Sequence, residues 1–158
     1  MLVIGCGNRL RGDDGVGPAV VERLLRRGLP PGIGCLDAST AGVDVVLAMR
    51  GEDRVVLVDA CQGAGEPGTV CELRGEALQR QEPGPLSTHG IRWDQAVALG
   101  RAMLGDSFPR DLVVYVVEAA SFEPGDALTP AVERAADRLA DMLVQAAAYD
   151  AAVARGLA

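Results

Sequence analysis

Lysine is absent from this chain, and histidine and aromatic residues are scarce. All 15 basic residues are arginine, one residue is histidine, and aromatic residues make up 3% of the sequence. Acidic residues outnumber basic ones by 22 to 15, which gives a net charge of −7. Binding to nucleic acid or to an anionic membrane surface requires a basic surface. The charge balance therefore argues against both as partners.

Long apolar runs and paired cysteines are missing as well. No stretch reaches the ~20 apolar residues that a membrane-spanning helix needs, and the N-terminus lacks the basic region of a signal peptide. The four cysteines, Cys6, Cys35, Cys61 and Cys71, form no C-x-x-C pair. This spacing argues against a structural zinc site and against a disulfide scaffold. We therefore expect a protein of the reducing cytoplasm.

The length of 158 residues and the hydrophobic share of 49% predict a single globular domain over residues 1–158. Apolar runs alternate with segments of helical periodicity. The predicted strands are Leu2–Ile4, Ile33–Leu36, Arg54–Asp59, Thr69–Leu73 and Leu112–Val117. The predicted helices are Gly17–Arg27, Val43–Arg50, Gly90–Leu104 and Pro130–Arg155. This alternation predicts an α/β three-layer sandwich, with a mostly parallel sheet of about five strands and helices on both faces.

A glycine-rich segment, Gly5–Gly17, joins the first predicted strand to the first helix and carries two adjacent carboxylates, Asp13 and Asp14. In an open α/β sheet, ligands bind at the carboxyl ends of the strands. A dinucleotide fingerprint fits poorly, because the third glycine of G-x-G-x-x-G is missing and the two acids would repel a pyrophosphate. A cation site suits these residues better, and a nucleotide-binding domain is kept as an alternative.

Asp14, Asp59 and His89 form a candidate metal site. Asp14 follows the first predicted strand, Asp59 ends the third, and His89 immediately precedes a predicted helix. The helix dipole disfavours the imidazolium there, and the neutral imidazole is the form that binds metals. Three protein ligands leave positions open for water or substrate. Oxygen and nitrogen ligands are compatible with zinc, nickel, iron or manganese.

Each of these residues also has a structural interpretation. Either acid of the Asp13–Asp14 pair would serve as a helix N-cap, and Asp59 would hold loop amides in an Asx-turn. His89 would cap its helix or lie on the surface. A thiol nucleophile assisted by His89 is a further alternative, because Cys6 and Cys61 lie at the ends of adjacent predicted strands.

Several motifs occur in a fixed order along nearly the whole chain. They are Gly5-Cys-Gly-Asn-Arg-Leu-Arg-Gly-Asp-Asp-Gly-Val-Gly17, Asp37-Ala-Ser-Thr-Ala-Gly42, Val56-Leu-Val-Asp-Ala60, Ser87-Thr-His-Gly90, Glu118-Ala-Ala-Ser-Phe-Glu-Pro-Gly125 and Leu128-Thr-Pro-Ala-Val-Glu133. In order and spacing this set resembles the hydrogenase maturation proteases. The resemblance implies an endopeptidase that removes the C-terminal extension of a NiFe-hydrogenase large-subunit precursor.

The resemblance also implies roles for single residues. The metal-binding positions of the family fall on Asp14, Asp59 and His89. Nickel already inserted into the precursor is then what the protease recognises, so the metal arrives with the substrate and binds the free enzyme weakly. The metal would polarise the scissile carbonyl or activate water, or it would only position the peptide while Asp14 or Asp59 acts as general base.

The segment that carries Asp37, Thr40 and Gly42 resembles the segment with which members of this family recognise the precursor. These three residues are therefore the candidate substrate-binding residues. An alternative from another functional class is a non-catalytic metallochaperone or nickel-sensing assembly factor that uses the same three metal ligands.

Overall fold

The structure is a computed structural model, and it describes residues 1–39, 42–63, 65–79 and 92–156. The strands are β1 (Leu2–Cys6), β2 (Gly34–Ser39), β3 (Arg54–Cys61), β4 (Val70–Arg74) and β5 (Asp111–Glu118). The helices are α1 (Val16–Arg27), α2 (Gly42–Ala48), α3 (Glu76–Gln79), α4 (Trp93–Leu104) and α5 (Pro130–Ala154). Two short 3-10 turns occupy Gly12–Gly15 and Gly105–Ser107.

The five strands form one sheet in the order β2-β1-β3-β5-β4. β1 pairs in parallel with β2 and β3, and β3 pairs in parallel with β5. β4 is an antiparallel edge strand against β5. The predicted α/β fold with a mostly parallel sheet of about five strands is confirmed. The carboxyl ends of β1, β2, β3 and β5 lie at one edge of the sheet, called the carboxyl edge below.

Helices cover both faces of the sheet, as predicted. On one face, inward side chains such as Ile4 and Leu57 contact a core that includes Trp93 of α4. On the other face, neighbouring strand residues such as Val3 share a core with Leu24 of α1 and Leu143 of α5. The alternation of strand side chains therefore decides which helix each residue meets. No helix in the described part of the chain is long and apolar enough to cross a membrane.

Two glycines let α1 start against the end of the sheet. A Cβ atom added to Gly5 would lie 2.3 Å from the carbonyl oxygen of Gly17. A Cβ atom on Gly17 would lie 2.2 Å from the carbonyl oxygen of Cys6 and 2.5 Å from that of Val58. Since neither contact is possible with a side chain, glycine at both positions allows the close approach of helix and strands. The glycines of this segment thus have a packing role that requires no bound phosphate.

Element boundaries differ from the predicted ones in a few places. β3 continues two residues past Asp59 to Cys61, and α4 begins at Trp93 rather than near Gly90. Arg92 occupies the N-cap position of α4, where its amide donates to the Gln95 side chain in a capping box. The short helix α3 was not predicted, because four residues are too few for helical periodicity to show.

Candidate active site

Asp59 is a buried carboxylate at the carboxyl edge, with a side chain on the α4 face of β3. It is 6% exposed. Its Oδ2 accepts the amide of Trp93, the first residue of α4, at 3.1 Å, and its Oδ1 accepts the amide of Ala60 at 2.8 Å. The free amides at a helix start favour a negative charge. The structure therefore ties Asp59 to α4 by a contact that links residues 34 positions apart.

The environment of Asp59 raises its pKa to about 6. Burial is the largest cause, because it removes water from the charged form. The amides of Ala60 and Trp93 lower the pKa and so oppose this effect, as does the charge of Arg92, while the negative charge of Asp14 raises it further. A carboxyl group with this pKa exchanges its proton close to neutral pH, as a general base or acid requires.

Asp14 lies in the 3-10 turn Gly12–Gly15 and is half-buried. Its Oδ2 accepts the amide of Asn8 at 3.1 Å. Burial raises its pKa, while the Asn8 hydrogen bond and the charge of Arg11 lower it. Gly7, with φ 117°, makes room for this turn, because a Cβ atom there would lie 1.8 Å from the Asp14 carbonyl oxygen.

The structure brings Asp14 and Asp59 together at the carboxyl edge, close enough for the charge of Asp14 to raise the pKa of Asp59. His89, the third candidate ligand, lies outside the described residues. Among the described residues, no group of three or more His, Cys, Asp or Glu side chains is placed to hold a metal ion. The described pair contributes oxygen donors without a thiolate, a donor set suited to a divalent cation.

Asp13 has a different environment from Asp14, although the two are adjacent. Its side chain is fully buried and accepts hydrogen bonds from Ala120 and Thr129. The N-cap position of α1 is Gly15, without a side-chain cap. The interpretation of either acid as the N-cap of α1 is therefore wrong. Sequence analysis missed this role of Asp13, because its partners lie more than 100 residues away.

Asp37 lies at the end of β2, and both of its carboxylate oxygens accept hydrogen bonds within the chain. Arg9 donates to Oδ2 through Nε at 3.1 Å and through Nη2 at 2.9 Å. The amide and hydroxyl of Ser39 donate to Oδ1 at 3.0 and 2.8 Å. Gly42 is the first residue of α2, whereas Thr40 lies outside the described residues. Asp37 thus joins the end of β2 to Arg9 in the segment after β1.

Two cysteines lie at the carboxyl edge, and neither is suited to act as a nucleophile. Burial raises the pKa of Cys6 well above its ordinary value. Burial and a hydrogen bond to Glu118 raise the pKa of Cys61 to about 12. Because the thiolate is the reactive form, the alternative of a thiol nucleophile is not supported.

Glu118 is a buried acid at the end of β5 that sequence analysis did not select as a site residue. Cys61 donates to its Oε2 at 3.2 Å, and the amide of Gly63 donates to its Oε1 at 2.5 Å. These contacts hold the segment after β3 against the end of β5. Its position at the end of a predicted buried strand was the signal that could have identified it.

Comparisons with known proteins agree on one family. A model of the hydrogenase maturation protease family matches residues 18–146. The hydrogenase 2 maturation protease of Escherichia coli is 33% identical over 135 residues, covering 84% of this chain and 81% of that protein.

Two solved structures have the same fold. The hydrogenase maturating endopeptidase HybD from E. coli superposes with a TM-score of 0.80 at 30% identity, covering 94% of this chain and 92% of that one. A NiFe hydrogenase maturation protease, HycI from Thermococcus kodakarensis KOD1, gives a TM-score of 0.74 at 25% identity, covering 92% and 90%.

Proposed function

Because this chain belongs to the hydrogenase maturation protease family, we propose that it removes the C-terminal extension of a NiFe-hydrogenase large-subunit precursor. The observation that carries the proposal is the pair of carboxylates, Asp14 and Asp59, at the carboxyl edge of the sheet. Burial raises the pKa of both. Two desolvated acids that repel each other destabilise the fold, and such a cost is typical of a functional site.

The same pair supports nickel of the precursor as the recognised feature. A divalent cation between Asp14 and Asp59 would remove their mutual repulsion, with His89 as the third ligand. Because the ligand set is two carboxylates and one imidazole, with no thiolate, the free protein should hold the cation weakly. The ligands of the precursor would complete the shell and increase the affinity.

Asp59 is suited to act as the general base. Where the metal only positions the peptide, Asp59, with its pKa of about 6 in the metal-free chain, would take a proton from the water that attacks the scissile carbonyl and pass it to the amine that leaves as the C–N bond breaks. Where Asp59 instead binds the metal with Asp14 and His89, nickel would polarise that carbonyl or activate the water. We further propose that Asp37, Thr40 and Gly42 contact the precursor, since hydrogen bonds from Arg9 and Ser39 hold Asp37 near the carboxyl end of β2. All four cysteines are free, which suits the reducing cytoplasm where we expect the reaction.

Mass spectrometry of a precursor incubated with the protein tests the proposal. We expect the nickel-loaded precursor to lose its C-terminal extension and the nickel-free precursor to stay intact. Asp59→Asn and His89→Ala should abolish cleavage. Asp106→Asn should cleave like the wild type, because this exposed residue lies before β5, at the opposite edge of the sheet.

Binding of the nickel-loaded precursor without any mass loss would favour the metallochaperone or assembly factor. The nucleotide-binding alternative loses its main support, because the glycines at the start of α1 serve helix–strand packing. Saturable binding of a dinucleotide in a titration would restore it.

A further inference from the structure

Asp13 is a fully buried acid in the same 3-10 turn as Asp14, and the chemistry proposed above gives it no part. Its side chain is 0% exposed. A buried carboxylate is costly unless hydrogen-bond donors surround it. Hydrogen-bond donors do surround the Asp13 carboxylate, and the residues that supply them indicate its structural role.

The partners of the Asp13 carboxylate belong to a segment 107 to 116 residues later in the chain. Oδ1 accepts the amide of Thr129 at 2.6 Å. Oδ2 accepts the Thr129 hydroxyl at 2.9 Å and the Ala120 amide at 2.8 Å, with a longer contact to the Ser121 amide at 3.4 Å. Thr129 is the N-cap residue of α5, yet its hydroxyl does not cap that helix. The carboxylate thus joins the 3-10 turn to the end of β5 and to the start of α5.

Backbone hydrogen bonds also connect the same two segments. The Gly12 amide donates to the carbonyl of Gly125 at 2.8 Å, and the Asp13 amide donates to the carbonyl of Ser121 at 3.2 Å. Asp14 accepts its hydrogen bond from Asn8, which belongs to the same loop as the turn. The direction of the Asp14 carboxylate therefore depends on how firmly the turn is anchored.

We propose that Asp13 is a positioning residue: its buried carboxylate anchors the 3-10 turn to residues 120–129 and so fixes the place of the Asp14 carboxylate. The inference rests on the proposed function, because it takes Asp14 as part of the reacting site. A group displaced by about 1 Å loses up to about 100-fold in rate. The contacts of the Asp13 carboxylate therefore keep the neighbouring Asp14 carboxylate in the position that the reaction needs.

Asp13→Asn tests the proposal, because it keeps the side-chain size but turns one acceptor oxygen into an NH₂ group that faces N–H and O–H donors. We expect kcat for precursor cleavage to fall about 10- to 100-fold, with KM changed less than about threefold. In the same variant, hydrogen exchange of the Asn8 amide should become at least about 10-fold faster, because its Asp14 acceptor moves.

Leu143→Ala is the matched control for a loss of stability alone. Leu143 is buried in α5 and lies about 20 Å along the helix from Thr129. This variant should unfold more easily, yet it should keep the wild-type kcat and Asn8 exchange rate under conditions in which it is folded. Thr129→Val removes a single donor to Asp13 and should show a smaller loss of kcat, whereas Thr129→Ser should restore the wild-type rate.

Wild-type kcat in folded Asp13→Asn, or a loss no larger than in Leu143→Ala, would overturn the proposal. If Asp13→Asn does not fold, the proposal is tested by comparing the cleavage rates of Thr129→Val and Thr129→Ser. Equal rates in these two variants would refute the positioning role of Asp13. If the wild type cleaves no precursor, the proposed function fails. The Asn8 exchange rate in Asp13→Asn then still decides whether Asp13 positions Asp14.

Discussion

Replacing Asp59 with asparagine should change the pH dependence of stability in a defined direction. The pKa of Asp59 is about 6 in the folded chain, against an ordinary value near 3.9 for an unfolded aspartate. Between these values the folded state keeps the proton and the unfolded state has lost it. Since stability falls with rising pH where the folded state binds more protons, Asp59 destabilises the fold increasingly from about pH 4 to about pH 6.

The magnitude follows from the size of the shift. One pKa unit corresponds to 1.36 kcal/mol, so ionised Asp59 lowers the free energy of unfolding by about 3 kcal/mol above pH 7. Asparagine has no charge to desolvate and is free of this pH-dependent cost. It does place an amide NH₂ against the amide of Ala60 or Trp93, which costs about 1 kcal/mol or more at every pH.

Urea unfolding followed by circular dichroism between pH 4.5 and pH 8 measures the effect. The difference in free energy of unfolding between Asp59→Asn and wild type should grow in favour of the variant by about 2 kcal/mol over this range. The pH-independent cost cancels in that comparison. Asp106→Asn, exposed at the opposite edge of the sheet, should run parallel to wild type. Parallel curves for Asp59→Asn would refute the argument that Asp59 is buried at an energetic cost.

Three further outcomes follow from the packing and donor set. Gly17→Ala should lower the free energy of unfolding by about 3 kcal/mol or more, because its Cβ would lie 2.2 Å from the Cys6 carbonyl oxygen. Gly65→Ala is the control, because that glycine has open space around it, and it should leave the urea midpoint unchanged. Cys61→Ser should keep precursor cleavage within about twofold, since the serine hydroxyl still donates a hydrogen bond to Glu118 and no thiolate is needed. A loss of about 100-fold would instead support a thiol nucleophile. Protein purified without added metal should contain little zinc or nickel in elemental analysis, whereas about one tightly bound zinc per chain would indicate a zinc hydrolase.

Much of the fold was accessible from sequence because apolar runs and helical periodicity reflect local burial. The run Val55–Val58 is buried along its whole length, as expected of a central parallel strand. Asp59 directly follows this run, so its place at the carboxyl edge could be predicted. The proximity of Asp14 also follows from the order of elements, because a strand that leads into a helix delivers the connecting turn to the same edge.

Other features depended on contacts between segments that are distant in sequence. The pattern of Val70–Arg74 identifies a strand, but its antiparallel pairing at the sheet edge depends on which neighbour remains available. Asp13 and Asp14 look alike in sequence. Asp13 is a buried anchor only because the fold places Ala120 and Thr129 against it, whereas Asp14 stays half-exposed at the site.

The sequence by itself determined the order of strands and helices, the family, and the acids that follow the buried strands, because each of these depends on residues close together in the chain. The tertiary structure decided the chemical state of those acids. Asp59 has a pKa of about 6 because burial removes water from it and the charge of Asp14 adds to this effect, and a local pattern does not encode how much water reaches a carboxylate. The free energy of an ionised side chain depends on its whole surroundings, and the fold brings those surroundings together from all along the chain.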